Sequence, residues 1–355
     1  MQKELERQLC RIERPSEAVR RKAQEKWDAS FKPIGALGKL EELIVKIAGI
    51  LGTTDVNIGN RAIIVMCGDN GVVSNGVTQT GQGVTAVVTN NMGERRASIS
   101  RIAAVSGAEV IPVNIGVAGE IVSPGVLDRR IARGTEDISR GPAMTQEEVY
   151  RAIQTGIDLV RDCREKGVTL LGTGEMGIGN TTTSSAILSV LLSLAPEQVT
   201  GRGAGLDSKG LKRKLAVIAK AIEINHPLRE QPFAVLRTLG GLDIAGLTGV
   251  FLGGGIYHVP IVIDGLISGT AALLAERMKP GIKEFMIPSH LGKEPASRAV
   301  LDELGLEPVI QADLALGEGS GAAMLFPLLD MALSIYTMNT TFEEFHIPAY
   351  VKFET

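Results

Sequence analysis

The chain has 355 residues, with 37 lysines and arginines against 40 aspartates and glutamates, and a formal net charge of −3. Hydrophobic residues make up 44% and charged residues 22%, which excludes global disorder, and the near-neutral charge gives no electrostatic footprint for nucleic acid. Glycine is unusually frequent, at 42 residues, while aromatic residues make up only 4%. A glycine surplus without a collagen period indicates tight turns and places where backbone segments approach closely.

The cysteine pattern and the hydropathy favour a reduced, soluble, cytoplasmic protein. Cys10, Cys67 and Cys163 are odd in number and lack the spacing of a disulfide framework or a zinc site. Residues 1–27 are highly charged and have no apolar core of the kind that a signal peptide needs. The longest uncharged stretch, 244–263, contains several glycines, so we interpret it as a buried helix followed by a buried strand and not as a membrane helix.

Short apolar runs recur along the chain, and most are followed by a glycine-rich turn and a helical segment. Continuous apolar runs are typical of strands that are buried on both faces of a parallel sheet. The pattern therefore predicts an α/β fold, with a parallel sheet flanked by helices in Rossmann-like layers. The runs predicted as strands are 62–67, 109–117, 168–171, 259–263 and 308–310.

The two ends of the chain lack this alternation and have the character of helices. Residues 1–54 and 331–355 are therefore predicted to form a small helical domain. Residues 55–330 would then form the large α/β domain, with its ligand site beyond the carboxyl ends of the strands.

The turn after Leu171 matches G-x-G-x-x-G over 172–177 and precedes a helix that would begin at Asn180. This is a literal dinucleotide fingerprint, and Glu197 lies twenty residues after Gly177. The loop is longer than that motif needs, however, and Glu197 is not at the end of a second strand. A phosphate site at the helix N-terminus is the sounder interpretation, with a dinucleotide-dependent oxidoreductase or a turn without a ligand as alternatives.

A second glycine turn, 317–321, places Glu318 among three glycines before an apolar helix. Apolar flanks would raise the pKa of its carboxyl group toward neutrality, as a general base requires. The alternative is an acid that only caps the helix.

Three further features follow predicted strands or glycine loops. The cations that follow the glycine loop at 201–205, among them Lys214, would neutralise a phosphate or form a solvated helix face. Asp69 and Asp264 each follow a predicted strand, where an acid either contacts a ligand or caps a turn.

Taken in order, these segments resemble the nicotinate-nucleotide–dimethylbenzimidazole phosphoribosyltransferases of cobamide lower-ligand assembly. The resemblance runs from Lys32 to Phe342, and ordered matches over that length are more specific than any single glycine motif. The most specific segments are 174–182 (GEMGIGNTT), 317–322 (GEGSGA) and 201–214, which begins GRGAGLD.

The resemblance implies a pentosyltransferase that needs no metal or other cofactor. It passes the phosphoribosyl group of nicotinate mononucleotide to an aromatic acceptor with inversion, and nicotinate leaves without needing a proton. One carboxylate that takes the acceptor's proton is then sufficient. By the family pattern that base is Glu318, and Glu175 is a second acid that orients ribose or stabilises the cationic transition state. The implied phosphate and ribose contacts are Gly177, Gly179, Asn180, Thr181, Gly203, Lys214, Asp264 and Ser289.

The acceptor side departs from the family pattern. Asn70 replaces the usual histidine, and Thr80 and Gly81 replace an aromatic lid residue and a proline. Ala315 replaces an arginine and Gly292 a serine. These departures favour retained phosphoribosyl transfer with an altered acceptor, which would be another benzimidazole, a purine or a phenol. The predicted acceptor-binding residues are Asp69, Asn70, Thr78, Gln79, Gln82 and Leu316.

Members of the family dimerise with sites near the subunit interface, and some relatives act on phenols as paired paralogues. The resemblance therefore implies a homodimer or a heterodimer with a paralogue, and no nucleic acid or membrane partner. A catalytically silent subunit that scaffolds an active partner is the alternative, and the intact Glu318 argues against it.

Overall fold

The computed structural model describes residues 1–338, 340–348 and 350, and a six-stranded sheet lies at its centre. Its strands are β1 (Arg61–Gly68), β2 (Glu109–Gly116), β3 (Leu127–Asp128), β4 (Leu170–Met176), β5 (Ile261–Ile263) and β6 (Met286–Pro288). All neighbouring strands are parallel, in the order β3-β2-β1-β4-β5-β6. The predicted parallel α/β fold is confirmed, and the strand order reverses between β1 and β4, where ligands bind in such sheets.

Helices cover both faces of the sheet. Helices α11 and α12 contact the sheet and one another, α6 packs on α11, and α5 and α14 contact the sheet and one another. The helices are α1 (Gln2–Cys10), α2 (Glu17–Ala29), α3 (Lys39–Leu51), α4 (Gly83–Gly93), α5 (Ser98–Val105), α6 (Gln146–Glu165), α7 (Asn180–Leu192), α8 (Pro196–Val199), α9 (Ser208–Asn225), α10 (Pro232–Leu239), α11 (Leu242–Tyr257), α12 (Leu266–Met278), α13 (Ala296–Leu304) and α14 (Ser320–Tyr336).

The uncharged stretch 244–263 is a buried helix followed by a strand, as predicted. It contains most of α11, which is buried on nearly every side, and then β5. A helix that is apolar all round belongs in a core when other elements surround it. Within the described residues, no helix combines the length and the apolarity that crossing a bilayer requires.

The strands differ from the predicted runs in three places. Strand β4 continues to Met176, so Gly172 and Gly174 lie within the strand and not in a turn. Strands β3 and β6 are two and three residues long, and no predicted run covers them. The predicted strand at 308–310 forms only an isolated bridge, from Ile310 to His290.

Helix α14 joins the sheet to the helices of the N-terminal segment. Ala322 lies against Gly172 of β4, while the Tyr336 ring packs on Trp27 with ring centroids 5.0 Å apart. The helix thus crosses the predicted domain boundary at residue 330. The division into 55–330 and the two ends stays a prediction, and its residues 339, 349 and 351–355 lie outside the described part.

Candidate active site

A cavity of about 210 Å³ opens at the carboxyl edge of the sheet, beside the ends of β4 and β5. The start of α7, the turn before α14 and the segments 77–80, 202–204 and 290–297 complete its wall. Ten predicted site residues line it: Glu175, Glu318, Gly177, Gly179, Asn180, Thr181, Gly203, Asp264, Thr78 and Leu316. The structure thus brings the two predicted catalytic acids and most of the predicted phosphate contacts into one cavity.

Glu318 lies in a turn with an unusual backbone. Gly317, Glu318 and Gly319 have φ values of +78°, +61° and +91°, so three consecutive residues are left-handed. For a glutamate this costs about 1–2 kcal/mol, and such strain is typical of functional sites. The carboxylate Oε2 accepts a hydrogen bond from Ile99 N–H at the start of α5 (3.1 Å). Burial raises the pKa of Glu318, against the opposing effect of that N–H, and the nearby Asp264 charge adds to the rise.

Asp264 holds this turn in place. Its Oδ2 accepts from Gly319 N–H (3.0 Å), and its Oδ1 accepts from Gly321 N–H (2.7 Å) and Ala322 N–H (3.3 Å). Burial raises the pKa of Asp264, while the neighbouring His290 and the three N–H groups oppose the rise. Both oxygens of this predicted ribose contact are therefore engaged at the start of α14, where they position Glu318.

Close backbone approach places the two acids that were predicted to be catalytic side by side. A Cβ atom at Gly174 would lie 2.5 Å from the carbonyl oxygen of Glu318, and one at Gly317 would lie 2.5 Å from Glu175 Oε1. Since real Cβ atoms do not approach so closely, only glycine at these two positions lets the turn rest on β4. This contact explains part of the glycine surplus.

Glu175 belongs to a buried network that the sequence did not indicate. Asn180 Nδ2 donates both to Glu175 Oε2 and to Asp243 Oδ2, the latter at 3.0 Å. Burial raises the pKa of Glu175 to about 8 and that of Asp243 to about 6. The Asp243 charge adds to the rise at Glu175, and the Asp69 charge adds to the rise at Asp243. Glu175 is thus mainly a neutral acid at pH 7. The only signal for Asp243 in the sequence is a lone acid at the start of an apolar helix.

At the other end of the cavity, α7 begins at Asn180 as predicted, with Gly179 as a left-handed cap. Lys214 is fully buried behind this end, and its Nζ donates to Thr181 Oγ1 (2.9 Å) and to Gly201 O (3.2 Å). Burial lowers the pKa of Lys214 to about 8. Gly203 N–H donates to Oε1 of Glu294 (3.1 Å), which is not one of the predicted site residues.

Six predicted site residues lie outside the lining. Lys214 and Ser289 are buried, and Ser289 Oγ donates to Ile263 O (2.6 Å). Asp69 is also buried, and its Oδ2 accepts from Ala118 N–H (2.8 Å). The remaining three are Asn70, Gln79 and Gln82.

The two glutamines tether the segment that was predicted to hold the acceptor. Gln79 Nε2 donates to Gly205 O, and Gln82 Nε2 donates to Asn70 O (3.2 Å). Asn70 is fully buried, and neither atom of its amide has a hydrogen-bond partner among the described residues. Thr78 and Thr80 of the same segment do line the cavity.

The thiols and the potential metal ligands are dispersed. Cys10 is exposed, Cys67 and Cys163 are buried, and all three are free. In the part of the chain that the structure describes, no group of three or more histidine, cysteine, aspartate or glutamate side chains is placed to hold a metal ion.

Comparison with known proteins decides the family. A family model described as Phosphoribosyltransferase matches residues 12–347. The chain belongs to this phosphoribosyltransferase family. The resemblance seen in the sequence and the assignment as a pentosyltransferase are confirmed.

The relatives and solved structures of this phosphoribosyltransferase family match nearly the whole chain. The nicotinate-nucleotide–dimethylbenzimidazole phosphoribosyltransferase of Acetivibrio thermocellus is 45% identical, over 92% of this chain and 93% of its own length. The enzyme of the same name from Ruminiclostridium cellulolyticum is 44% identical, over 94% and 95%. The crystal structure of CobT from Thermus thermophilus superposes with a TM-score of 0.89 at 38% identity, covering 94% of this chain and 100% of that one.

Proposed function

We propose that this phosphoribosyltransferase moves the phosphoribosyl group of nicotinate mononucleotide to dimethylbenzimidazole or a related benzimidazole. The products are an α-ribotide phosphate and nicotinate, and the reaction supplies the lower ligand of a cobamide. The names of the relatives support both substrates. The single observation that carries the proposal is a strained glutamate, Glu318, that faces a helix N-terminus across one cavity.

Glu318 is the proposed general base. The acceptor nitrogen attacks C1′ of the ribose from the face opposite nicotinate, and the bond from C1′ to the pyridinium nitrogen breaks. The electron pair of that bond neutralises the pyridinium, so the leaving group needs no proton. The acceptor's N–H proton passes to Glu318 Oε, whose raised pKa suits it for the transfer.

The start of α7 is the proposed phosphate end. Backbone N–H groups and the positive end of the helix dipole attract an anion there. Lys214 supports this end through Thr181 Oγ1 and brings a positive charge behind it. Gly177, Gly179, Asn180, Thr181 and Gly203 stay the proposed contacts, whereas Ser289 and Asp264 support the walls.

Glu175 is proposed to act as a neutral hydrogen-bond donor. With a pKa of about 8 it carries little charge at pH 7, so it stabilises the cationic transition state poorly by charge. A protonated carboxyl group does offer one O–H to a ribose hydroxyl oxygen. Orientation of the ribose is therefore the better supported of its two predicted roles.

The choice of acceptor stays a proposal. The relatives' names favour a benzimidazole, while Thr80, Ala315 and Leu316 form a wall that lacks the family's aromatic and arginine side chains and would leave room for a purine or a phenol. Incubation of the protein with nicotinate mononucleotide and each acceptor, followed by chromatography, is the test. We expect nicotinate and an α-ribotide phosphate with dimethylbenzimidazole, and absence of product with every acceptor would refute the proposal.

We further propose a cytoplasmic homodimer, with a paralogue heterodimer as the second form. A silent scaffold subunit predicts no turnover by the purified chain, and an oxidoreductase predicts a nicotinamide-dependent absorbance change. The family match favours transfer over the oxidoreductase, and the intact Glu318 in the cavity favours it over the scaffold. The glycine fingerprint also loses its support, because Gly172 and Gly174 lie inside β4 and not in a turn that could cradle a pyrophosphate.

A further inference from the structure

A carboxylate already occupies part of the proposed phosphate end. Glu294 belongs to the segment between β6 and α13, and it lines the cavity. Its Oε1 accepts the hydrogen bond from Gly203 N–H at 3.1 Å. Gly203 is also one of the proposed contacts of the substrate's phosphate. The Glu294 carboxylate and that phosphate therefore compete for the same N–H group.

The surroundings of Glu294 are built for a negative charge. A Cβ atom at Gly201 would overlap the Glu294 carboxylate, so the carboxylate can lie against residue 201 only because that residue is glycine. Lys214 is near enough for Glu294 to raise its pKa against the effect of burial. A Cβ atom on Gly203 would lie 3.4 Å from Lys214 Nζ, which places the ammonium group and the Gly203 backbone side by side.

The contact leaves hydrogen-bonding capacity unused on both sides. Glu294 Oε2 is buried and has no partner among the described residues. Lys214 Nζ donates two hydrogen bonds, while an ammonium group has three donors. A buried carboxylate oxygen without a donor is unfavourable, so this arrangement is readily exchanged for a better-matched anion.

We propose that Glu294 is a resident anion which holds the phosphate end in the ligand-free protein and is displaced when the phosphate of the substrate binds. This inference rests on the proposed function, since it takes the 5′-phosphate of a nucleotide to be the incoming anion. The exchange keeps the Gly203 N–H and the Lys214 charge paired in both states. A ligand without a phosphate has nothing to exchange for the carboxylate, so the contact also selects against dephosphorylated nucleosides.

Calorimetry with inorganic phosphate and with nicotinate mononucleotide, both without acceptor, tests the exchange. Glu294→Gln keeps an oxygen that accepts from Gly203 N–H but removes the competing charge. We expect this variant to bind both ligands about tenfold more tightly than the unaltered protein, because the incoming phosphate then displaces a weaker, neutral acceptor from Gly203 N–H and no longer meets a like charge. Glu294→Ala should also bind both ligands more tightly than the unaltered protein. It provides a second measurement if Glu294→Gln folds poorly.

Glu303→Gln is the matched control, since it removes the same charge from an exposed ion pair with Arg277 outside the cavity lining. It should leave both affinities unchanged. Unchanged or weaker binding by the Glu294 variants would overturn the inference and make Glu294 a support of the loop. Nicotinate release is measured separately: normal exchange without any release would refute the proposed function alone, and normal release without tighter binding would refute this inference alone.

Discussion

Replacement of Glu318 by glutamine separates catalysis from folding. Glutamine has the same shape, and its Oε1 can keep the hydrogen bond from Ile99 N–H that the carboxylate accepts at 3.1 Å. It cannot accept a proton from the acceptor. Loss of a positioned base lowers turnover by 10²–10⁴-fold, which corresponds to about 2.7–5.5 kcal/mol in the activation barrier.

The stability of this variant should change in the opposite direction. Because burial raises the pKa of Glu318, the ionised carboxylate is less favourable in the folded chain than in the unfolded one. This penalty is absent at low pH, where the group is protonated in both states, and it grows as the pH rises above the unfolded pKa. Glutamine removes it, so the melting temperature at pH 7 should stay the same or rise.

The assays are steady-state release of nicotinate over a range of pH and thermal unfolding of both proteins. For the unaltered protein kcat/KM should rise with pH as Glu318 ionises, and the variant should lack that rise. Asp302→Asn is the control, because it neutralises an exposed acid on α13. A loss of less than tenfold in turnover with an unchanged melting temperature would show that Glu318 is not the base.

Four further changes follow from the geometry. Glu318→Gly should have a higher melting temperature than Glu318→Ala, which lacks the same carboxylate, since glycine adopts the φ of +61° without the penalty of about 1–2 kcal/mol, while both variants lose turnover; an equal or lower melting temperature for the glycine variant would contradict the strain. Glu175→Gln should keep activity within about tenfold at pH 7 and abolish the fall in activity that deprotonation near pH 8 causes. The same raised pKa makes the folded chain lose stability between pH 4.5 and about 8, and glutamine should flatten that slope in unfolding titrations. Lys214→Met should raise KM for nicotinate mononucleotide by about tenfold or more with a smaller change in kcat, and an equal fall in kcat alone would argue against a phosphate role. Thr80→Phe should narrow the accepted acceptors toward dimethylbenzimidazole, as measured by competition between acceptors, and unchanged preferences would place the specificity elsewhere.

Several parts of the site were accessible from the sequence. The predicted start of α7 at Asn180 is correct, because a glycine followed by polar residues marks a helix start locally, although the N-cap is Gly179 and no side chain caps the helix. The tight turn around Glu318 was also predictable locally, since consecutive positive φ values require glycines such as Gly317 and Gly319. Lys214 was found as a cation after a glycine loop, although the structure places it behind the cavity wall.

The side-chain contacts on the acceptor side could not be predicted from the sequence pattern. Gln79 and Gln82 were predicted to touch the acceptor because they lie in the right segment, but their amides bond to backbone carbonyls of Gly205 and Asn70. Which way a long polar side chain turns depends on neighbours that are distant in sequence. The short strands β3 and β6 were missed for a related reason, since sheet pairing and not hydrophobic periodicity defines them.

By itself the sequence determined the α/β class and the glycine turn around Glu318, because the period of buried residues and the local backbone conformation depend on neighbouring residues. Only the tertiary structure decided which groups of the site share a hydrogen bond. Asn180 bonds to Asp243 across 63 residues, and Gly203 bonds to Glu294 across 91. These pairings arise where strand ends and helix starts converge at one edge of the sheet, and the enclosure there, which sets the pKa values, exists only after the chain has folded.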